Sequence, residues 1–212
     1  MKKTTLALSA FAILAVSGLV YLSYYYKDSG LATLNATRSE QSEKISAYAT
    51  EGILIGNPEA PVTVEEHMSY LCGHCLDFAS QTYPVLKEKY VDSGKVNFRV
   101  FVAPPVELSL AAICAADQGL FEKFNDHFIE NIQRLTAVED IAVLTREAGL
   151  EMEKFNTCYN DEKFRTIPQS WAEFAKNKGV DGTPIFFVNG ERIEGNQPIE
   201  VFEQTIERKL AE

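Results

Sequence analysis

The sequence predicts an α/β domain with an all-helical segment inserted between its strands, preceded by an apolar N-terminal segment. Three observations carry this. A strand-like run, Val62 to Met68, leads into Cys72-Gly73-His74-Cys75 and then a helix-like run, Leu76 to Tyr90. Residues 107 to about 166 repeat apolar residues at helical spacing. A β-rich run beginning at Pro184, an Asn189-Gly190 turn and an amphipathic helix close the chain. The chain has 212 residues, which suits one large domain or one domain with an insertion.

Lys2 and Lys3 are followed by 23 uncharged residues, Thr4 to Tyr26. That is long enough to span a bilayer as a helix. Tyr21, Tyr24, Tyr25 and Tyr26 suit a membrane interface, and the lysine pair keeps the N-terminus in the cytoplasm. Residues 1–27 are expected to be a retained signal anchor. A cleaved signal peptide is the alternative, with Ala15-Val16-Ser17 as a small-residue site. Either way the domain is exported to a compartment where disulfides persist. The net charge is −10, and residues 28–212 carry −13. An acidic body of that kind excludes nucleic acid as a partner.

Residues 28–51 are polar and of mixed charge, a linker or weak helix. Gly52 to Gly56 reads as a short edge strand, and Asn57-Pro58-Glu59-Ala60-Pro61 as a turn. In the strand Val62–Met68, Val62, Val64, Glu66 and Met68 share one face. If that face is inward, Glu66 is a buried carboxylate near the cysteines, with a raised pKa and the capacity to exchange protons with a buried thiol. A one-residue slip of register would put it in solvent instead.

In the run from Leu76, residues Phe78, Ala79, Val85, Leu86 and Tyr90 form the apolar set, and Pro84 should kink or break the helix. Lys95 to Val102 is more continuously apolar, as a central strand would be. Residues 106–166 read as an inserted subdomain of three or four helices, punctuated by Gly119 and Gly149. Cys114 and Cys158 fall within it. They are either two inert core thiols or, as the oxidising compartment favours, a structural disulfide. Bonded, they would stabilise the fold by roughly 3–4 kcal/mol. Residues 167–212 supply a helix around Trp171 and Phe174, the strand from Pro184, its return at Arg192-Ile193, and the final helix. Residues 52–105 and 167–212 thus form two parts of one domain. A Pro at a strand's start is permitted, and a cis Thr183–Pro184 bond would fit a tight approach to another loop.

Two thiols three residues apart at a helix start are placed for redox chemistry. The first has free N–H groups and the positive end of the helix dipole behind it, which favours thiolate. The second lies one turn in, within disulfide reach. His74 between them adds positive charge or a donor when protonated. A C-x-x-C is also half of a zinc site or a plain structural bridge, but a zinc site needs two more ligands at metal spacing. Cys114, Cys158, His67 and His127 do not have that spacing.

The order of strand, C-x-x-C helix, strand, helical insertion, helix, Gly182-Thr183-Pro184 strand, hairpin and helix resembles the thioredoxin fold. With its inserted subdomain the chain is similar to the DsbA-like thiol–disulfide oxidoreductases over residues 52–212. The motifs that carry the resemblance are Cys72–Cys75, Gly182-Thr183-Pro184 and Phe186-Phe187-Val188-Asn189-Gly190. It implies Cys72 as the exposed nucleophile, Cys75 as the buried resolving thiol, and a cis Pro184. It also implies that Thr183 offers backbone hydrogen bonds to a bound peptide, and that Glu66 stands where the family often has a buried acid.

Two departures bear on redox poise and substrate preference. Gly-His replaces the Pro-His of many DsbA-like oxidases, as it does in protein disulfide isomerases. His67-Met68 stand where aromatic residues often follow the acid. The resemblance implies an exported enzyme that oxidises protein dithiols without a cofactor and is reoxidised by a membrane partner of the DsbB or VKOR type. An isomerase or reductase of the same fold, or a thioredoxin-like metallochaperone, is the alternative.

Overall fold

The computed structural model describes residues 2–161 and 164–212; the side chains of residues 2–18 and 25–31 lie outside the described set. Helix α1 spans Lys2–Glu51. The chain divides into two compact units, ending at Lys44 and beginning at Ile45. Most of the expected membrane segment, residues 4–26, lies outside the described side chains. Among the described residues no helix is long and apolar enough to cross a membrane.

Residues 28–51, expected as a linker or weak helix, are helical throughout. Ile45, Tyr48 and Ala49 pack against the core of the second unit. Gly52, at φ 72°, closes the helix, and its N–H donates to the Tyr48 carbonyl at 3.1 Å. A positive φ there is a glycine's conformation.

A five-stranded sheet runs in the order β1-β3-β2-β4-β5. The strands are β1 (Ile53–Ile55), β2 (Val62–Met68), β3 (Val96–Val102), β4 (Ile185–Val188) and β5 (Glu191–Glu194). β2 is the middle strand, parallel to β3 and antiparallel to β4. β1 is an edge strand against β3. Asn189 (φ 44°) and Gly190 (φ 86°) make the β4–β5 turn. Both central residues have positive φ, as the right-handed strand twist demands of a two-residue hairpin. The Asn189 side chain also pins the hairpin to β2, accepting the Thr63 N–H at 2.8 Å and donating to the Pro61 carbonyl at 3.2 Å.

Strand alternation gives β2 two different faces. Val64, Glu66 and Met68 lie under the helical run that follows Cys72. This run comprises α2 (Gly73–Asp77), a π-turn (Phe78–Thr82), α3 (Tyr83–Leu86) and a second π-turn (Lys87–Val91). Pro84 does not break the helix. The wide turn before it sits where the proline's missing N–H interrupts the ordinary ladder. Each π-turn also shifts the helical phase, and Val85, expected in the core, is 46% exposed. Phe78 packs on Phe186 and Phe202, with ring centroids 4.4 and 5.4 Å apart. Phe202 belongs to the closing helix, α9 (Ile199–Leu210).

The segment between β3 and β4 contains α4 (Val106–Asp117), α5 (Phe121–Asn131), α6 (Glu139–Glu147), α7 (Met152–Tyr159) and α8 (Thr166–Asn177). α4 is tied to the end of β3 by the Ser109 hydroxyl, which donates to the Val102 carbonyl at 2.9 Å. Cys114 on α4 and Cys158 on α7 are joined as a disulfide, with Cα atoms 5.7 Å apart. Phe124 and Phe128 of α5 stack at 4.2 Å and hold Tyr70, whose ring lies 5.8 Å from that of Phe128. The helical segment therefore grips the loop that delivers Cys72. α8 covers the other face of the sheet. There Trp171 is buried, and its indole N–H donates to the Tyr48 carbonyl at 2.6 Å.

Candidate active site

β2 ends at Met68, and three residues carry the chain to Cys72. The Cys72 N–H returns to the Ser69 carbonyl at 3.1 Å. Cys72 then takes the N-cap position of α2 in extended conformation, φ −104° and ψ 115°. Its carbonyl accepts the N–H groups of Cys75 (3.0 Å) and Leu76 (3.1 Å). This geometry leaves the Cys72 side chain half-exposed and turns that of Cys75 fully inward.

The two thiols occupy opposite electrostatic environments. Burial pushes the Cys72 thiol up. Hydrogen bonds from the Thr183 side chain, from the Cys75 N–H and thiol, and from the His74 N–H outweigh it, so the Cys72 pKa is lowered. Donors that favour the charged form have that effect on any acid. Burial pushes Cys75 up to about 12, against the Ser69 N–H, which donates to its Sγ at 3.4 Å. The pair is thus a stabilised outer sulfur over an inner sulfur held as a thiol. His74 is exposed, and the part of it that touches Cys72 is its backbone N–H rather than its ring.

The Thr183–Pro184 peptide is cis, and the loop faces the cysteines. The Cys72 thiol donates to the Thr183 carbonyl at 3.1 Å. Pro184 is buried, and its carbonyl accepts the Gly195 N–H at 2.9 Å. The structure thus brings Cys72, Cys75 and Thr183 into direct contact.

Glu66 is buried, 6% exposed, and burial alone raises its pKa to about 8. It borders a cavity of about 20 Å³ with Met68, Phe78, Tyr83 and Asn125. That is room for about one water. Tyr83 donates to Glu122 at 3.3 Å and Tyr70 to Asn125 at 2.9 Å, so both phenols beside the acid already have partners. No hydrogen bond among the described residues joins Glu66 to either cysteine.

His67, which the sequence marked only as lacking metal spacing and as a departure from the aromatic residues that often follow the acid, is 3% exposed on the opposite face of β2. It stacks on Phe101 at 4.9 Å and meets Phe187 edge-on at 5.9 Å. Burial and the nearby Lys178 ammonium lower its pKa to about 4, so the ring is neutral at neutral pH. The alternation that singled out Glu66 also places His67 on the other side. Its aromatic company, which marks it as buried, comes from α8 and the neighbouring strands.

A family model described as thioredoxin matches residues 48–208. The chain belongs to the thioredoxin family. Within it, the chain is 28% identical over 169 residues to a Rickettsia bellii protein provisionally named protein-disulfide oxidoreductase, covering 76% of this chain and 65% of the relative. It spans 60–65% of the length of the rickettsial relatives it matches. A Bacillus cereus protein provisionally named disulfide bond formation protein D is 26% identical over 187 residues, covering 82% of this chain and 85% of that one. Among solved structures, α-DsbA1 of Wolbachia pipientis superposes with a TM-score of 0.68 at 25% identity, over 76% of this chain and 92% of that one. The thioredoxin fold with a helical insertion is thus shared with DsbA-type proteins.

Proposed function

We propose that the chain is an extracytoplasmic thiol:disulfide oxidoreductase that introduces disulfides into exported proteins through Cys72 and Cys75. The observation that carries this is the asymmetry of the pair: a half-exposed Cys72 with a lowered pKa above a buried Cys75 with a raised one. The names of the rickettsial and Bacillus relatives support the same chemistry.

In the oxidised enzyme Cys72 and Cys75 are bonded. A substrate thiolate attacks the Cys72 Sγ, forming a mixed disulfide and releasing Cys75 as a thiolate that takes up a proton. A second substrate thiolate then attacks the substrate sulfur of the mixed disulfide. The products are a substrate disulfide, a Cys72 thiolate and a Cys75 thiol. Two electrons have passed from two substrate thiols to the enzyme disulfide. The lowered pKa makes Cys72 a good leaving group and stabilises the reduced enzyme, which makes the oxidised form a strong oxidant. Glu66, protonated below about pH 8, is the proton reserve on the Cys75 side. Thr183 and Pro184 shape the surface on which the substrate chain lies.

Turnover requires reoxidation by a membrane protein of the DsbB or VKOR type. The uncharged run Thr4–Tyr26 behind Lys2 and Lys3 would hold the domain beside it. The test is oxidation of a reduced model protein. Wild type should form substrate disulfides, and Cys72→Ser and Cys75→Ser, neither of which can form the enzyme disulfide, should form none. Full activity in Cys72→Ser would end the assignment.

A further inference from the structure

On the face of the sheet away from Glu66, a pocket of about 620 Å³ opens beneath the Thr183 loop. His67, Phe101, Pro104, Trp171, Ala175 and Thr183 are among its walls. We propose that it is a specificity subsite, taking an aromatic side chain of the polypeptide held in mixed disulfide to Cys72. This rests on the assignment of Cys72 as the exchanging thiol.

Three observations point there. First, Thr183 belongs to both places: it lines the pocket and its carbonyl lies 3.1 Å from the Cys72 sulfur. A disulfide sets the two Cα atoms about 6 Å apart, and each extended residue advances the chain by about 3.4 Å. A segment bonded to Cys72 therefore reaches the Thr183 side within about one or two residues of its cysteine. Second, the walls are ring-rich. His67 stacks on Phe101, and Trp171 meets Phe101 edge-on at 5.8 Å. Aromatic rings gain from such neighbours beyond simple burial. The volume lies within the range of ligand pockets and exceeds what one aromatic side chain needs.

Third, His67 is buried and its Nε2 has no hydrogen-bond partner among the described residues. An unpaired buried polar atom is costly. An aromatic group with a polar edge, the tyrosine hydroxyl or the indole N–H, supplies a partner that an aliphatic side chain lacks.

The probes are dithiol peptides differing only in tyrosine or alanine at the two positions on either side of the reactive cysteine. Burial of one large side chain should raise kcat/KM about tenfold or more for tyrosine at one flank. Ala175→Trp, which fills the pocket from α8, should bring the tyrosine-to-alanine ratio close to one. Trp171 is the single tryptophan of the chain, so its fluorescence reads occupancy directly. With Cys75→Ser joined to single-cysteine forms of the two peptides, each made by displacing thionitrobenzoate from a Cys72–thionitrobenzoate mixed disulfide, the tyrosine peptide should alter the emission and the alanine peptide should not.

Equal rates and equal emission for both peptides would overturn the proposal, as would a tyrosine preference that Ala175→Trp leaves intact. Exchange with dithiothreitol separates the two failures. If it proceeds while the peptides show no preference, only the subsite is lost. If neither dithiothreitol nor any peptide exchanges, the oxidoreductase assignment falls and the subsite with it.

Discussion

Glu66→Gln should stabilise the protein at alkaline pH and leave its stability nearly unchanged in acid. The carboxyl has a pKa near 4.5 when solvated and about 8 in the fold, where burial penalises the charge. Below 4.5 both states are protonated and there is no cost. Between the two values the folded state holds the extra proton, so stability falls as pH rises; above 8 both states are ionised and the cost is complete. At 1.36 kcal/mol per pKa unit, the cost is about 3 kcal/mol near pH 7 and about 5 kcal/mol above pH 8. Glutamine keeps the shape without the charge. Urea unfolding of both proteins from about pH 4 to 9, with the cysteines held in one redox state, reads the difference. The gap should open through that window and level off above it. A gap that stays constant across the pH range would refute the inward, solvent-excluded placement of the carboxylate; an offset from amide packing added to a gap that widens with pH would not.

His67 should act with the opposite sign. Its pKa falls from 6.5 to about 4 on folding, so the unfolded state holds the extra proton in that interval and stability drops as pH falls through it. His67→Phe should flatten that acid limb in the same urea titration. Iodoacetamide should modify Cys72 with a pH midpoint below 9.0, while Cys75 reacts only after unfolding, as peptide mass analysis will show. Cys114→Ala should cost roughly 3–4 kcal/mol in urea unfolding, and intact protein should show no label on Cys114 or Cys158. Asn189→Ala removes two hydrogen bonds and a residue suited to positive φ, and should lower stability by about 1–2 kcal/mol.

The strands, the C-x-x-C helix and the Asn189-Gly190 hairpin were legible because their signals are local. Alternation in Val62–Met68 and a turn dipeptide between β-rich runs need no knowledge of distant residues. Features set by packing were less legible. Val85 looked apolar-in by simple helical spacing, but the π-turn at Phe78–Thr82 shifts the phase and sends it to the surface. Residues 28–51 looked like a polar linker or a weak helix. Ile45, Tyr48 and Ala49, at helical spacing just before Gly52, were the sign that the end of this helix packs on the core.

At the site itself, the sequence pointed to Cys72, Cys75, Thr183 and Glu66 as neighbours. It could not show that Glu66 faces Tyr83 and Asn125 across a cavity, because α5 brings Asn125 from 59 residues away in the chain. The same holds for His67, whose walls come from β3, β4 and α8.

The reduction potential of the Cys72–Cys75 pair, measured by equilibration with glutathione, tests the central claim most directly. A stabilised Cys72 thiolate predicts an oxidising pair, with a potential at or above the roughly −180 mV of protein disulfide isomerase. A value near the roughly −270 mV of thioredoxin would contradict an oxidase and make the protein a reductase.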